Sequence, residues 1–199
     1  MDTAIYGKSK KKGGVTPAII LVNPKFPHNV GAAVRAASCF GVRQVWYTGD
    51  RVAMELEKTR RLPREERMKG YKDVELRQFE YPFDEFEDAV PVAVELRQNS
   101  ELLPQFEHPE KAVYVFGPED GGLTQVHLKL CHRFVVIPTH HCVNLSAAVY
   151  LMLYDRMLKR QMARLEPVLP MDDVLREQRG PIANGGKLYG HGGESDVEI

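Results

Sequence analysis

Three segments carry side chains whose types and spacing could do chemistry, and each begins where an apolar run stops. The first is NPKFPHNVGAAVR, residues 23–35. Two prolines stiffen a turn, Asn29 is expected to cap a helix with Gly31 in its first turn, and the free backbone N–H groups of that turn favour an anion such as a phosphate. Arg35 lies about 9 Å further along the axis at ~1.5 Å per residue. Helical side chains lean toward the N-terminus, so its guanidinium is expected to reach back toward the same mouth. Read alone, the segment also fits a capped helix with a surface arginine.

The second segment is VFGPEDGGL, residues 115–123, where Gly117, Gly121 and Gly122 surround Glu119. Such glycines let a backbone approach a ligand closely while offering unpaired amides and carbonyls. The segment is not a G-x-G-x-x-G fingerprint and lacks the lysine and hydroxyl of a P-loop, so a dinucleotide or triphosphate fits poorly. A plain turn fits it as well. The third segment is IPTHHCVNLSAAV, residues 137–149: a loop carries His140, His141 and Cys142, and Asn144 or Ser146 opens a helix. A zinc site drawn from His127, Cys131, His132, His140, His141 and Cys142 has donors enough but no recognised spacing. A Cys142–His nucleophile has no evident orienting partner. The expectation is therefore no metal.

Elements must position these loops, and the apolar pattern supplies them. AIILVN (residues 18–23), QVWYT (44–48), VPVAVEL (90–96), AVYVFG (112–117) and FVVIP (134–138) read as buried strands, with DVELRQF (73–79) as a roughly alternating sixth. Between them, Val30, Ala33, Val34, Ala37 and Phe40 mark a helical face that Gly41 ends, and a short helix is expected over 124–131. This alternation predicts an α/β fold: a mostly parallel sheet of about six strands with helices on both faces. From Asn144 to Met162 a long helix begins apolar nearly all round, through Leu145, Ala147, Ala148, Val149, Leu151, Met152 and Leu153. Such a helix must be covered on several sides, which points to a second copy of the chain or to deep burial in one core.

Composition sets the outer limits. At 199 residues the chain holds one well-buried domain and ragged ends. We read residues 1–16 as a basic flexible arm, 17–165 as the domain and 166–199 as a Gly-rich, disordered tail. No apolar run reaches the roughly 18–20 residues of a membrane span, and no apolar stretch follows the first residues as a secretory signal would require. Cys39, Cys131 and Cys142 are an odd set that fits a reducing, cytoplasmic setting. The formal net charge is zero, which excludes a globally cationic nucleic-acid binder, but charge is unevenly spread. Lys8, Lys10, Lys11 and Lys12 form one basic cluster, and Lys58, Arg60, Arg61, Arg64, Arg67, Lys69 and Lys72 crowd a second. Either could meet phosphates or be a solvated surface.

Taken together, in order and spacing, the three segments resemble the three motifs of the SpoU/TrmH class of SPOUT methyltransferases, over residues 18–160. Asn29, Gly31 and Arg35 correspond to the first motif. Gly117, Pro118, Glu119, Gly122 and Leu123 correspond to the second, and Ile137, Pro138, Asn144, Leu145 and Ser146 to the third. The resemblance implies a deep C-terminal trefoil knot, a homodimer through the 144–160 helix, S-adenosylmethionine as cofactor and methylation of a ribose 2′-hydroxyl of tRNA or rRNA. It implies that Arg35, helped by Asn29, acts at the 2′-oxygen, that Glu119 orients Arg35 or the substrate, and that Asn144 and Ser146 hold loop geometry. Cofactor would lie against Leu96, Gly117, Gly122, Ile137, Cys142 and Val143. RNA would meet Lys58, Arg60, Arg61 and Arg64. Methylation of a base nitrogen, or non-catalytic RNA binding on the same scaffold, are the alternatives. Cys142 departs from the pattern, standing where the family usually has serine, and puts a hydroxyl contact there in doubt.

Overall fold

Short apolar runs become the strands of one sheet. The computed structural model describes residues 3–6, 14, 16–54, 71–86 and 88–174, and the chain divides into two compact units, residues 1–159 and 160–199. In the first unit the strands are β1 (Thr3–Tyr6), β2 (Ala18–Leu21), β3 (Gln44–Tyr47), β4 (Glu75–Gln78), β5 (Val90–Val94), β6 (Glu101–Leu102), β7 (Ala112–Phe116) and β8 (Arg133–Val136). The helices are α1 (Pro27–Cys39), α2 (Gln125–Lys129) and α3 (Leu145–Met162). Among the described residues the sheet has eight strands rather than six, in the order β1-β4-β3-β2-β7-β5-β8-β6. All neighbours are parallel except the β1–β4 pair. The two additional strands escape a sequence pattern for local reasons: β1 adjoins the lysine cluster within the stretch read as an arm, and β6 is two residues long.

Alternation within β2 sorts the core. Ile19 and Leu21 face the side covered by α1 and α3, with Val30, Ala33, Ala37, Val149 and Met152. Ala18 and Ile20 face the opposite side with Trp46, Val113, Val115 and α2's Leu128. A strand buried on both faces has to be apolar throughout, which is why the unbroken AIIL and AVYVF runs lie at the sheet's centre. Helix α1 ends as its sequence requires: Gly41 takes φ +70°, and the Val42 and Gly41 amides return to Ala37 O (2.8 Å) and Ser38 O (3.4 Å).

Strand order fixes where a ligand could sit. The chain leaves β2 toward β3 on one side, while β7 lies on the other, so the order reverses between β2 and β7. Open α/β sheets bind at such a switch point, outside the C-terminal strand ends. Leu21, Phe116, Val94 and Val135 are register partners in succession, so the loops after β2, β7, β5 and β8 emerge together along one edge.

On the underside of α3, a polar network ties the helix to the segment before β7. His108, with 2% of its side chain exposed, meets Tyr114 Oη through Nδ1 (2.6 Å) and Asp155 Oδ2 through Nε2 (2.8 Å). An ionised carboxylate only accepts, so neutral His108 donates from Nε2 and takes the tyrosine proton at Nδ1. Arg156 donates to Pro109 O (2.7 Å) and Glu110 O (2.8 Å), and Lys159 pairs with Asp155 (2.7 Å). Burial pushes the His108 imidazole below its ordinary range, outweighing the opposing pull of Asp155. A base whose folded pKa is depressed contributes stability that is complete above its unfolded value, about 6.5, and lost as pH falls below it. Urea unfolding at pH 7.5 and pH 5 should therefore show weaker folding at the lower pH. His108→Gln should cost about 1–3 kcal/mol at pH 7.5, because Tyr114 and Asp155 lose a buried partner, and should flatten the pH dependence. An equally steep profile in the variant would place the titrating group elsewhere.

Candidate active site

The three loops meet in a cleft of about 730 Å³ at the switch point. Leu96, Gly117, Gly122, Ile137, Cys142 and Val143 all line it, as do Asn29, Glu119 and Asn144. One chain of hydrogen bonds links the motifs. Glu119 Oε1 accepts from Asn29 Nδ2 (2.6 Å) and Oε2 from the Lys25 amide (2.8 Å). Asn29 Oδ1 then accepts from Asn144 Nδ2 (3.0 Å), and Asn144 Oδ1 takes both the amide (2.9 Å) and the hydroxyl (2.6 Å) of Ser146. Asn144 thus caps α3 from outside its first residue while also reaching across to α1.

Asn29 does not cap α1. The cap is Phe26, Pro27 holds the first helical position, and Asn29 stands in the first turn with only 2% exposure. Proline is pre-organised for that first position, so the helix starts three residues early and frees the Asn29 side-chain amide for tertiary bonds. Nor does Glu119 hold Arg35. Burial works to raise the Glu119 pKa, but the bonds from the Asn29 side chain and the Lys25 and Phe26 backbone outweigh it and keep the group an acceptor-only carboxylate. Arg35 is half-buried on α1 and does not line the cleft. At 3.6 residues per turn it stands roughly 120° around the axis from Asn29, too far to share its face. No hydrogen bond or ion pair holds its side chain among the described residues.

Residues 16–154 match the SpoU rRNA Methylase family. The chain belongs to that family. No curated protein sequence shows a significant match, but solved structures share the SpoU fold at low identity. The SpoU methyltransferase AviRb from Streptomyces viridochromogenes, in complex with the cofactor AdoMet, is 17% identical with a TM-score of 0.60, over 76% of this chain and 62% of that one. The chain therefore spans less than two thirds of AviRb. The A. aeolicus TrmH/SpoU tRNA modifying enzyme is 20% identical with a TM-score of 0.64, over 84% and 88%. A structure described as giving insights into the 2-OH methylation of C/U34 on tRNA is 22% identical with a TM-score of 0.54, over 74% and 96%.

Within this SpoU fold several cleft residues carry no sequence signal. At the end of β5, Glu95 accepts the Leu123 amide (2.7 Å) and the Leu96 amide (3.0 Å), bracing the second-motif loop against the next one. Phe26 and His28 stack at the mouth. Beside the cleft, Asp120 holds Arg51 through two bonds (2.8 and 3.1 Å) and Lys25 at 3.4 Å; Arg51 foremost draws its pKa down to about 2. The residues weighed for zinc are dispersed. Cys131 is buried, its thiol pushed up to about 12, and His127 faces Thr124, whereas His140, His141 and Cys142 line the cleft. Among the described residues no cluster of three or more His, Cys, Asp or Glu could hold a metal ion, and no helix is long and apolar enough to cross a membrane. Lys58, Arg60, Arg61 and Arg64, with the Lys8–Lys12 cluster, lie outside the described residues.

Proposed function

We propose that this SpoU-family chain transfers a methyl group from S-adenosylmethionine to a ribose 2′-hydroxyl of tRNA or rRNA. The observation that carries the reading is the Glu119–Asn29–Asn144–Ser146 hydrogen-bond chain, which fixes all three motif loops around one cleft. The cleft's size is ordinary for a cofactor site, in the range of roughly 300–1,000 Å³, and its lining suits a nucleoside sulfonium. Ile137 and Val143 offer an apolar wall, Leu96 stands at the rim with 74% of its surface exposed, and Gly117 and Gly122 present bare backbone. S-adenosylmethionine supplies an electrophilic methyl group.

The chain's own residues supply the rest. A ribose hydroxyl is weakly acidic, so the developing alkoxide needs positive charge or hydrogen-bond donors. Arg35 is the candidate for that charge although it stands outside the cleft lining: it would act from the substrate's side of the transfer, and a guanidinium can do so without losing its proton. Asn29 and Glu119 shape the mouth where substrate enters, and Asn144 and Ser146 position the third loop. Cys142 meets cofactor through its backbone. The basic stretch with Lys58, Arg60, Arg61 and Arg64 meets RNA phosphates, the C-terminal segment carries the trefoil knot, and the protein works in the cytoplasm. A fold neighbour described for 2-OH methylation of tRNA points the same way. Methyl transfer to total RNA from labelled cofactor, followed by nucleoside analysis, should yield 2′-O-methylnucleosides. Label in base-methylated nucleosides would move the reaction to a base nitrogen, and no incorporation would leave a binding protein.

The active form in this reading is a homodimer. One face of α3 packs on the sheet through Leu145, Val149, Met152 and Leu153, while Leu151, Tyr154 and Leu158 stand exposed along the other. Three large apolar groups along one helix face favour a symmetric partner. Sedimentation should give a dimer at micromolar concentration, and Leu151→Glu with Tyr154→Glu a monomer. A wild-type monomer would remove α3 as an interface.

A further inference from the structure

Phe26 is the wrong residue for its position by every local rule. It caps α1, where Ser, Thr, Asp or Asn would satisfy an orphan amide, and it makes no side-chain cap bond. It is not a hydrophobic staple either, since that pairs the residue before the cap with the fourth helical residue, here Lys25 and Val30. It does not fill the core: 40% of its surface is exposed at the cleft mouth. Its ring instead stacks on His28, centroids 5.3 Å apart and planes 20° from parallel, with Lys25 Nζ 5.3 Å from the ring centroid. The backbone beneath Phe26 is constrained. Pro27 restricts Phe26 to extended backbone, observed at φ −116° and ψ 124°, and Glu119 engages the backbone of Lys25 and Phe26. Local rules broken without a packing gain mark functional positions.

We propose that Phe26 and His28 form a stacking platform for an unpaired nucleobase, that of the nucleotide whose ribose is methylated. The proposal rests on the RNA-methylating function above and adds the substrate class: RNA whose target nucleotide lies in a loop or other single-stranded stretch. A base inside a duplex has both faces covered by its neighbours and cannot reach a platform, whereas an unpaired base stacks readily on an aromatic face. Position supports the nucleotide assignment. Phe26, His28 and Asn29 all line the same cleft, so a base stacked at its mouth would have its ribose beside the cleft. Lys25, next to Phe26 in the same loop, and Arg51, at the helical turn after β3, share the single Asp120 carboxylate and would meet the neighbouring phosphate.

The platform can be read by fluorescence because Trp46, the chain's one tryptophan, is buried and gives a constant background. The probe is a 12-mer oligouridylate, free or annealed to oligoadenylate, titrated against full-length wild type, Phe26→Trp and Phe26→Leu, with S-adenosylmethionine affinity measured on each by calorimetry. The single strand should quench Phe26→Trp to saturation and the duplex should not. Phe26→Leu, which keeps apolar bulk but loses the π face, should bind the single strand on the order of tenfold more weakly with cofactor affinity unchanged. If Phe26→Leu binds within twofold of wild type, or if duplex and single strand quench alike, the platform is overturned while methylation stands. If wild type neither binds cofactor nor methylates total RNA, the function itself fails and this inference with it.

Discussion

Arg35→Ala is expected to cut turnover by roughly 10²–10³-fold, the scale of removing one stabilising donor from a developing oxyanion, while S-adenosylmethionine affinity stays nearly constant. The separation follows from placement. Arg35 does not line the cleft proposed for the cofactor, so its loss should leave cofactor binding intact. Its guanidinium makes no bond among the described residues, so the folded chain should lose at most about 0.5 kcal/mol. Arg35→Lys keeps a charge but loses the planar, multiply donating fork and should also be badly impaired. Single-turnover methylation at saturating RNA, paired with calorimetry for the cofactor, makes the test. A near wild-type rate for the alanine variant would leave Arg35 as a surface arginine and shift the oxyanion's stabilisation to backbone or to Asn29.

How far the sequence carries is clearest at particular residues. Uninterrupted apolar runs identified β2 and β7, since a strand buried on both faces leaves no other composition possible, and Gly41 marked the end of α1 through its positive φ. Asn144, one of two candidate caps with Ser146 in the sequence, is the cap because its bonds to the Ser146 and Ala147 amides are local. Asn29 is not one: its side chain has a partner 90 residues away in Glu119, and the local signal that did mark the helix start was Pro27, which suits the first helical position. Glu95 was missed for the same reason, because its bond to the Leu123 amide forms only once β5 and β7 lie side by side. Phe26 and His28 were quoted within the first segment, yet their stacking depends on the turn and not on spacing. Tertiary bonds between strand-end loops are therefore the part of the site that composition and periodicity leave unread.

The tightest of those loops gives the second large effect. A Cβ on Gly117 would lie 2.5 Å from Gly122 C, 2.7 Å from Leu123 N and 2.8 Å from Gly122 Cα, all of them backbone atoms. Backbone cannot rotate aside as a side chain does, so Gly117→Ala must open the loop. Opening it pulls Leu123 N from Glu95 Oε2 and shifts Glu119, which holds Asn29 and the Lys25 amide. A displacement of about 1 Å in a positioned site can cost on the order of 10²-fold. We therefore expect Gly117→Ala to lower methylation by at least that factor and to weaken S-adenosylmethionine binding measurably. Strand β7 ends before the loop with its side chains still buried, so folding should survive with a loss of about 1–3 kcal/mol, the usual cost of overpacking. Gly121→Ala is the matched control: a Cβ there meets nothing within 4 Å, and cofactor affinity should not change. Calorimetry on the two variants decides the matter. Wild-type affinity in Gly117→Ala, with a normal unfolding transition, would mean the cofactor does not lie against this loop and would move its site away from the end of β7.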